Sequence, residues 1–271
     1  TEEKIRLDNF IKNRISGKDE LFIRDDCFDQ DKNINEITKK YSIDESKRNV
    51  FLFSNLYWDV GLSEQVGLFE GVIPWVIKTV KIAEKDDDIN LYVKTHPAEN
   101  FGPAQSRKGI SEIIHEEFPN GLTNTTIIEP GEKITPYSLF PFIDCAILFS
   151  GTLGFELLYS GIPVISVGSA AYNQLNLVSE PNTIDEYIEF IKYGSDRIID
   201  RNKLELLAYF FFIKSIIPLD LTKSVYAAKV KDLFNIDSIE ELKEGNNIYL
   251  DHLCNSMINP EVTIPEMWPD R

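Results

Sequence analysis

Residues 145–156 read Cys145-Ala146-Ile147-Leu148-Phe149-Ser150-Gly151-Thr152-Leu153-Gly154-Phe155-Glu156, and they continue through Leu157, Leu158, Tyr159, Ser160, Gly161 and Ile162 to Pro163-Val164-Ile165-Ser166-Val167-Gly168. Cys145 to Phe149 is a short, unbroken apolar run, the pattern of a strand buried on both faces. The segment Leu153 to Tyr159 then carries helical spacing, with Ser150 placed to cap its start and Gly161 and Pro163 placed to stop it. Pro163 to Val167 is a second buried strand. A buried strand, a glycine-containing turn, a helix and another buried strand make one βαβ unit of a parallel sheet.

Working outward, the same texture recurs. Val50 to Phe53, Ile89 to Val93 and Thr126 to Ile128 are further buried-strand runs, separated by helix-like segments at Phe69 to Ala83, Ile110 to Phe118 and Tyr137 to Ile143. Strand alternating with helix predicts a doubly wound parallel α/β sheet over residues 49–200. Thr1 to Arg48 is charged, with an amphipathic stretch from Ile5 to Ile15 and an Asp/Lys/Asn-rich segment around Asp25 to Asn35. It reads as a helical connector leading from an amino-terminal domain. Residues 201–271 read as a helical extension, with candidates at Ile184 to Lys192 (the last before it), Leu204 to Ile217, Lys223 to Phe234 and Ile239 to Met257, then an extended arm from Pro260 to Arg271. Leu206 to Ile217 is apolar nearly all round and reads as a buried helix, since a membrane-surface helix needs a basic face.

Twenty-eight Lys and Arg against forty-four Asp and Glu give a net charge of -16, which argues against nucleic acid as a partner. Any phosphate must be held by a compact local arrangement. Cys27, Cys145 and Cys254 have no metal-ligand or paired spacing and read as reduced thiols of a cytoplasmic protein. No apolar run approaches the roughly 20 residues of a membrane span. Asp29-Gln30-Asp31 and Asp86-Asp87-Asp88 match an Asp-x-Asp metal pattern, but neither follows a buried strand, so both read as solvated loops and no metal is assigned. His115 and His252 read as surface residues.

In an open α/β sheet, ligands bind beyond the carboxyl ends of the strands. Three post-strand loops are therefore candidates. Lys94-Thr95-His96-Pro97 puts Lys94 and His96 at the sheet edge as candidate ligand-binding residues, where His96 can donate to a phosphate or protonate a leaving group; the alternative is a loop histidine satisfying a carbonyl. Ser150, Gly151, Thr152 and Gly154 form a candidate phosphate seat at a helix start, and Glu156 is a candidate acceptor for ribose hydroxyls unless it merely complements the helix N-terminus. Gly168 to Tyr172 leaves room for a base or sugar, with Tyr172 either stacking on it or packing in the core. Glu99 and Asp59 are weaker candidates for a base.

These elements, in this order, resemble the carboxyl-terminal domain of the capsular polysaccharide biosynthesis family, which includes β-Kdo transferases of GT-B architecture. The matching residues are Val50 to Gly61, His96-Pro97, Ser150 to Glu156, Gly161 to Val164, Gly168 and Tyr172, within Asn49 to Asn173. The resemblance implies a Rossmann-like GT-B carboxyl-terminal half and a metal-independent glycosyltransferase of surface-polysaccharide synthesis. It also implies that His96 and Glu156 serve the donor nucleotide. Where Kdo-transferase members continue past the tyrosine with Gly-Trp-Gly, this chain has Asn173-Gln174-Leu175, so the donor is left among CMP-, CDP- and UDP-linked sugars. The expected function is thus the donor half of a cytoplasmic glycosyltransferase, acting on a glycan acceptor, with the inner membrane face and polysaccharide-assembly partners left open. Alternatives are a nucleotide-sugar epimerase or hydrolase half and a non-catalytic nucleotide-binding scaffold.

Overall fold

The computed structural model describes residues 2–16, 33–59, 68–100, 105–195, 197–214 and 238–246, with positions 250, 251, 254, 255 and 258. The chain forms two compact units, Thr1–Glu205 and Leu206–Arg271. In the first, strands β1 (Arg48–Phe53), β2 (Ile89–Lys94), β3 (Thr125–Ile128), β4 (Cys145–Leu148) and β5 (Val164–Ser166) make one five-stranded sheet in the order β3-β2-β1-β4-β5. Every pairing is parallel. The doubly wound α/β sheet expected from the alternation of runs is therefore present. Each parallel pair needs a crossover, and the intervening helices supply them: α3 (Val72–Ala83), α4 (Ile110–Glu117) and α5 (Leu153–Tyr159). They are preceded by α1 (Glu2–Ile15) and α2 (Ile34–Tyr41), and followed by α6 (Ile184–Tyr193) and α7 (Arg201–Tyr209).

Alternation along the strands sorts side chains onto two faces. Val50, Leu52, Leu91, Val93, Cys145 and Ile147 share one cluster with Trp75, Val76, Val80, Ile114 and Tyr187, so α3, α4 and α6 cover that face. Phe51, Tyr92 and Lys94 have the opposite parity. Phe51 stacks on Tyr92 with ring centroids 4.5 Å apart. α1 buries Leu7, Ile11 and Arg14, the positions that fall on one side of a helix.

Several boundaries differ from the sequence reading. β2 runs one residue further, because Lys94 pairs with both Phe53 and Ile128. The segment at Pro136–Phe142 is a 3₁₀ helix with Pro141 inside it, where in an α-helix the proline ring would clash with the carbonyl four residues back. Ser150 does not cap α5. The cap position is Thr152, which makes no side-chain capping bond. The stop is where expected: the amides of Gly161 and Ile162 return to the carbonyls of Leu158 and Leu157. α1 and α2 lie in the same compact unit as the sheet, and the division falls within α7, between Glu205 and Leu206, rather than at 200.

The apolar segment read as one buried helix from Leu204 is α-helical only to Tyr209 and continues as a π-helical turn, Phe210–Lys214. Leu204, Ala208 and Phe212 are buried while Leu206 and Phe210 are exposed, so it is sided rather than buried all round. In the second unit, Phe211 and Phe212 pack edge to face, and a 3₁₀ turn at Ile239–Leu242 opens with a Ser238/Glu241 capping box. The helix expected at 223–234, the arm at 260–271, Asp29 to Asp31, Cys27 and His252 lie outside the described residues. Cys145 is buried, its thiol pushed up to about 11 chiefly by burial.

Candidate functional site

The strand order reverses between β1 and β4: β2 and β3 lie to one side of β1, β4 and β5 to the other. At such a point the two chain exits diverge and leave a crevice beyond the carboxyl ends of the strands. A cavity of about 360 Å³ lies there, with walls from Ser54 and Asn55 after β1, Lys94 to Pro97 at the end of β2, and Ser150 to Leu153 after β4. Asn55 Nδ2 donates across the crevice to the carbonyl of Ser150 at 3.4 Å. Its Oδ1 is buried and has no hydrogen-bond partner among the described residues.

Lys94 is the cation of the β2 wall. The pleat sends its side chain into a site where only 3% of the residue remains exposed. Burial lowers its pKa to about 8, against the charges of Glu132, Glu99 and Glu129, which hold it up. Its contact with the carbonyl of Thr95 is long, at 3.5 Å. An ammonium so placed gains from an incoming anion what it lost in leaving water.

His96 is fixed at both ends. Its backbone N–H donates to Ser54 Oγ at 3.1 Å, and its ring Nδ1 accepts from the amide of Ala98 at 3.2 Å. With Nδ1 accepting, the neutral ring carries its proton on Nε2. Burial, assisted by the charge of Lys94 and opposed by Asp59, lowers its pKa below the ordinary histidine value. At neutral pH the side chain is a neutral hydrogen-bond donor, which suits contact with a phosphate better than proton delivery.

Ser150, Gly151 and Thr152 line the cavity. Gly151 takes φ 115°, a conformation closed to most residues with a side chain. Gly154 and Tyr172 are not in the cavity wall. A Cβ on Gly154 would lie 2.3 Å from Tyr172 Cζ, and the fully buried Tyr172 donates from its hydroxyl to the carbonyl of Gly151 at 3.0 Å. Tyr172 thus supports the Ser150 loop from behind instead of lining a base pocket. The Gly168 loop opens on a different cavity, of about 450 Å³, where Asn173 bridges Ser166 Oγ and the carbonyl of Gly168.

Glu156 borders the first cavity but is itself fully buried, and its Oε1 accepts from Arg14 Nε at 2.7 Å. Arg14, from the last turn of α1, also lines the cavity. Sequence reasoning missed it, although a charged residue on the apolar Leu7–Ile11 side of an amphipathic helix is a readable signal. Ser54 and Asn55 were likewise missed, though the rule that picked the other loops applies to them. Thr135 and Tyr137, also in the wall, follow no buried strand and gave no such signal.

Glu99 caps α4, its Oε2 accepting from the amide of Ile110 at 2.9 Å, and burial raises its pKa. It faces a separate, open cavity of about 650 Å³ shared with Glu112, Glu116, Glu129 and His115. That cavity is larger, but its carboxylates repel anions. Among the described residues, no group of His, Cys, Asp and Glu is disposed to hold a metal ion, and no helix is long and apolar enough to cross a membrane.

No protein-family model and no curated protein matches the chain. Among solved structures it is similar to the UDP-GlcNAc 2-epimerase of Neisseria meningitidis bound to UDP-GlcNAc, at 13% identity and a TM-score of 0.41, over 76% of this chain and 46% of that one. It is also similar to the β-Kdo 2,4 transferase of Thermosulfurimonas dismutans KpsC, at 17% identity and a TM-score of 0.44, over 77% of this chain and 55% of that one. For the β-Kdo 2,7 transferase of the same KpsC the values are 15% and 0.42, over 76% and 51%. The chain spans about half the length of these structures. Likeness at this level assigns no residue a role, and the fold rests on the sheet order itself.

Proposed function

We propose that the cavity at the β1/β4 crevice binds the phosphate of a nucleotide-activated sugar, and that the chain is the donor-binding half of a GT-B glycosyltransferase of surface-polysaccharide synthesis. The observation that carries the reading is the meeting of Lys94, His96 and the Ser150–Thr152 loop in one cavity at the point where strand order reverses. Lys94 supplies charge, His96 a neutral donor through Nε2, and Asn55 Oδ1 an acceptor for a hydroxyl or base amino group. The volume suits part of a nucleotide rather than the whole donor. A catalytic base and the acceptor site belong, on this reading, to a facing domain.

Calorimetric titration of the chain with CMP, CDP, UDP and GDP tests the binding step, with saturable binding weakened in Lys94→Gln as the expected result. Absence of binding up to millimolar concentrations would reject it. Product analysis of a full-length protein with the bound nucleotide's sugars then separates transfer from epimerisation and hydrolysis.

A further inference from the structure

The geometry points to Arg14 as a residue that contacts the ligand's phosphate, with Glu156 as its positioning residue rather than the ribose acceptor. The inference rests on the nucleotide reading for its ligand but not for its anion. Three observations carry it. Arg14 and Glu156 meet although 142 residues apart, through a 2.7 Å bond from Nε to Oε1. Their side chains are 7% and 0% exposed, and both border the cavity that Lys94 enters. Finally, α1 is clasped to α5 beside them, with Tyr159 donating to Asp8 and Leu7 and Ile11 buried on the same side.

A carboxylate with no exposed surface, already accepting from a guanidinium, is poorly placed to take two ribose hydroxyls. To do so it would have to give up its bond to Arg14 and leave that buried guanidinium without its counter-charge. The guanidinium is better suited. Its planar fork is held by Nε, and guanidinium geometry matches phosphate oxygens. Glu156 orients that fork and offsets its burial, since a buried cation without a partner is costly. Lys94, from β2, supplies the second cation, so the ligand's anionic group is approached from two elements. This makes α1 part of the binding site.

The test is calorimetric titration of the 271-residue chain with inorganic pyrophosphate, UDP and 2′-deoxy-UDP. Glu156→Gln keeps the guanidinium and removes a negative charge from the wall; Arg14→Gln with Glu156→Gln replaces the ion pair by two neutral amides, so a failure to fold does not obscure the result. Thermal melts check both. The expected result is that Glu156→Gln binds pyrophosphate more tightly than wild type, while the double variant binds it roughly tenfold or more weakly than Glu156→Gln. The salt dependence of binding should also be shallower in the double variant. UDP should follow pyrophosphate, and wild type should not distinguish UDP from its deoxy form. Equal pyrophosphate affinity in the two variants would overturn the Arg14 contact. So would discrimination against deoxy-UDP that is present in wild type and lost in Glu156→Gln, because Glu156 would then grip the ribose. If wild type binds pyrophosphate with the predicted variant order but no nucleotide, the Arg14 contact stands and the nucleotide reading fails. If it binds neither, both fail.

Discussion

The hydroxyl of Tyr172 donates to the carbonyl of Gly151 at 3.0 Å while its ring fills the space that a side chain on Gly154 would need. One tyrosine therefore fixes both ends of the loop that walls the cavity. Gly154→Ala should destabilise the chain by about 1–3 kcal/mol or more, because its Cβ would overlap the ring and the ring is too buried to yield. Tyr172→Phe should cost about 0.5–1.5 kcal/mol for the lost bond. A double-mutant cycle in urea decides the cause. If the ring is the obstacle, Gly154→Ala in a Tyr172→Leu background should cost far less than in wild type, and strict additivity would refute the overlap.

Lys94 sets a pH dependence. A lysine with a free-state pKa of about 8 is charged below that value and neutral above it. Phosphate binds the charged form, and its own second ionisation, near roughly pH 6, is complete by then. Affinity for a phosphate monoester such as CMP should thus be nearly flat from pH 7 to about 8 and then fall by up to about tenfold per pH unit. Lys94→Gln should bind weakly and without the break. Glu99→Gln keeps an acceptor for Ile110 but removes one of the charges that hold the Lys94 pKa up, so the break should move to lower pH. Titrations across this range check all three, and a break near the ordinary lysine value in wild type would show that Lys94 is solvated or not the binding cation.

Across the sheet, the cluster behind Val50 and Leu52 contains a buried polar relay. Trp75 Nε1 donates to the Tyr187 hydroxyl at 3.0 Å, and Thr79 Oγ1 lies 2.6 Å from the same oxygen. Tyr187→Phe would leave the indole N–H buried without its acceptor, at a cost of about 1–3 kcal/mol. Thr79 retains its bond to the carbonyl of Trp75. Urea denaturation should show the loss, while pyrophosphate affinity should stay unchanged because this face lies opposite Lys94. A loss of affinity without a loss of stability would contradict the two-face assignment.

The residue pattern alone specified the parallel sheet and the edge at which its post-strand loops gather. Runs such as Cys145 to Phe149 are too short and too uniformly apolar to be anything but strands covered on both sides, and the residues that follow them must sit at one edge. His96, Ser150, Gly151 and Thr152 were legible for that reason, as was the stop of α5 at Gly161. Tertiary structure decided the rest. Whether Tyr172 faces a ligand or the back of a glycine depends on how two loops pack, and no local periodicity records that. Lys94 is a legible candidate from its place at the end of a strand, but its lowered pKa comes from burial in the fold. Arg14 enters the wall only because α1 docks beside α5, joining residues 142 positions apart. Strand and helix identity are encoded within a few residues, whereas the charge and partners of a buried side chain are set by whatever the fold brings against it.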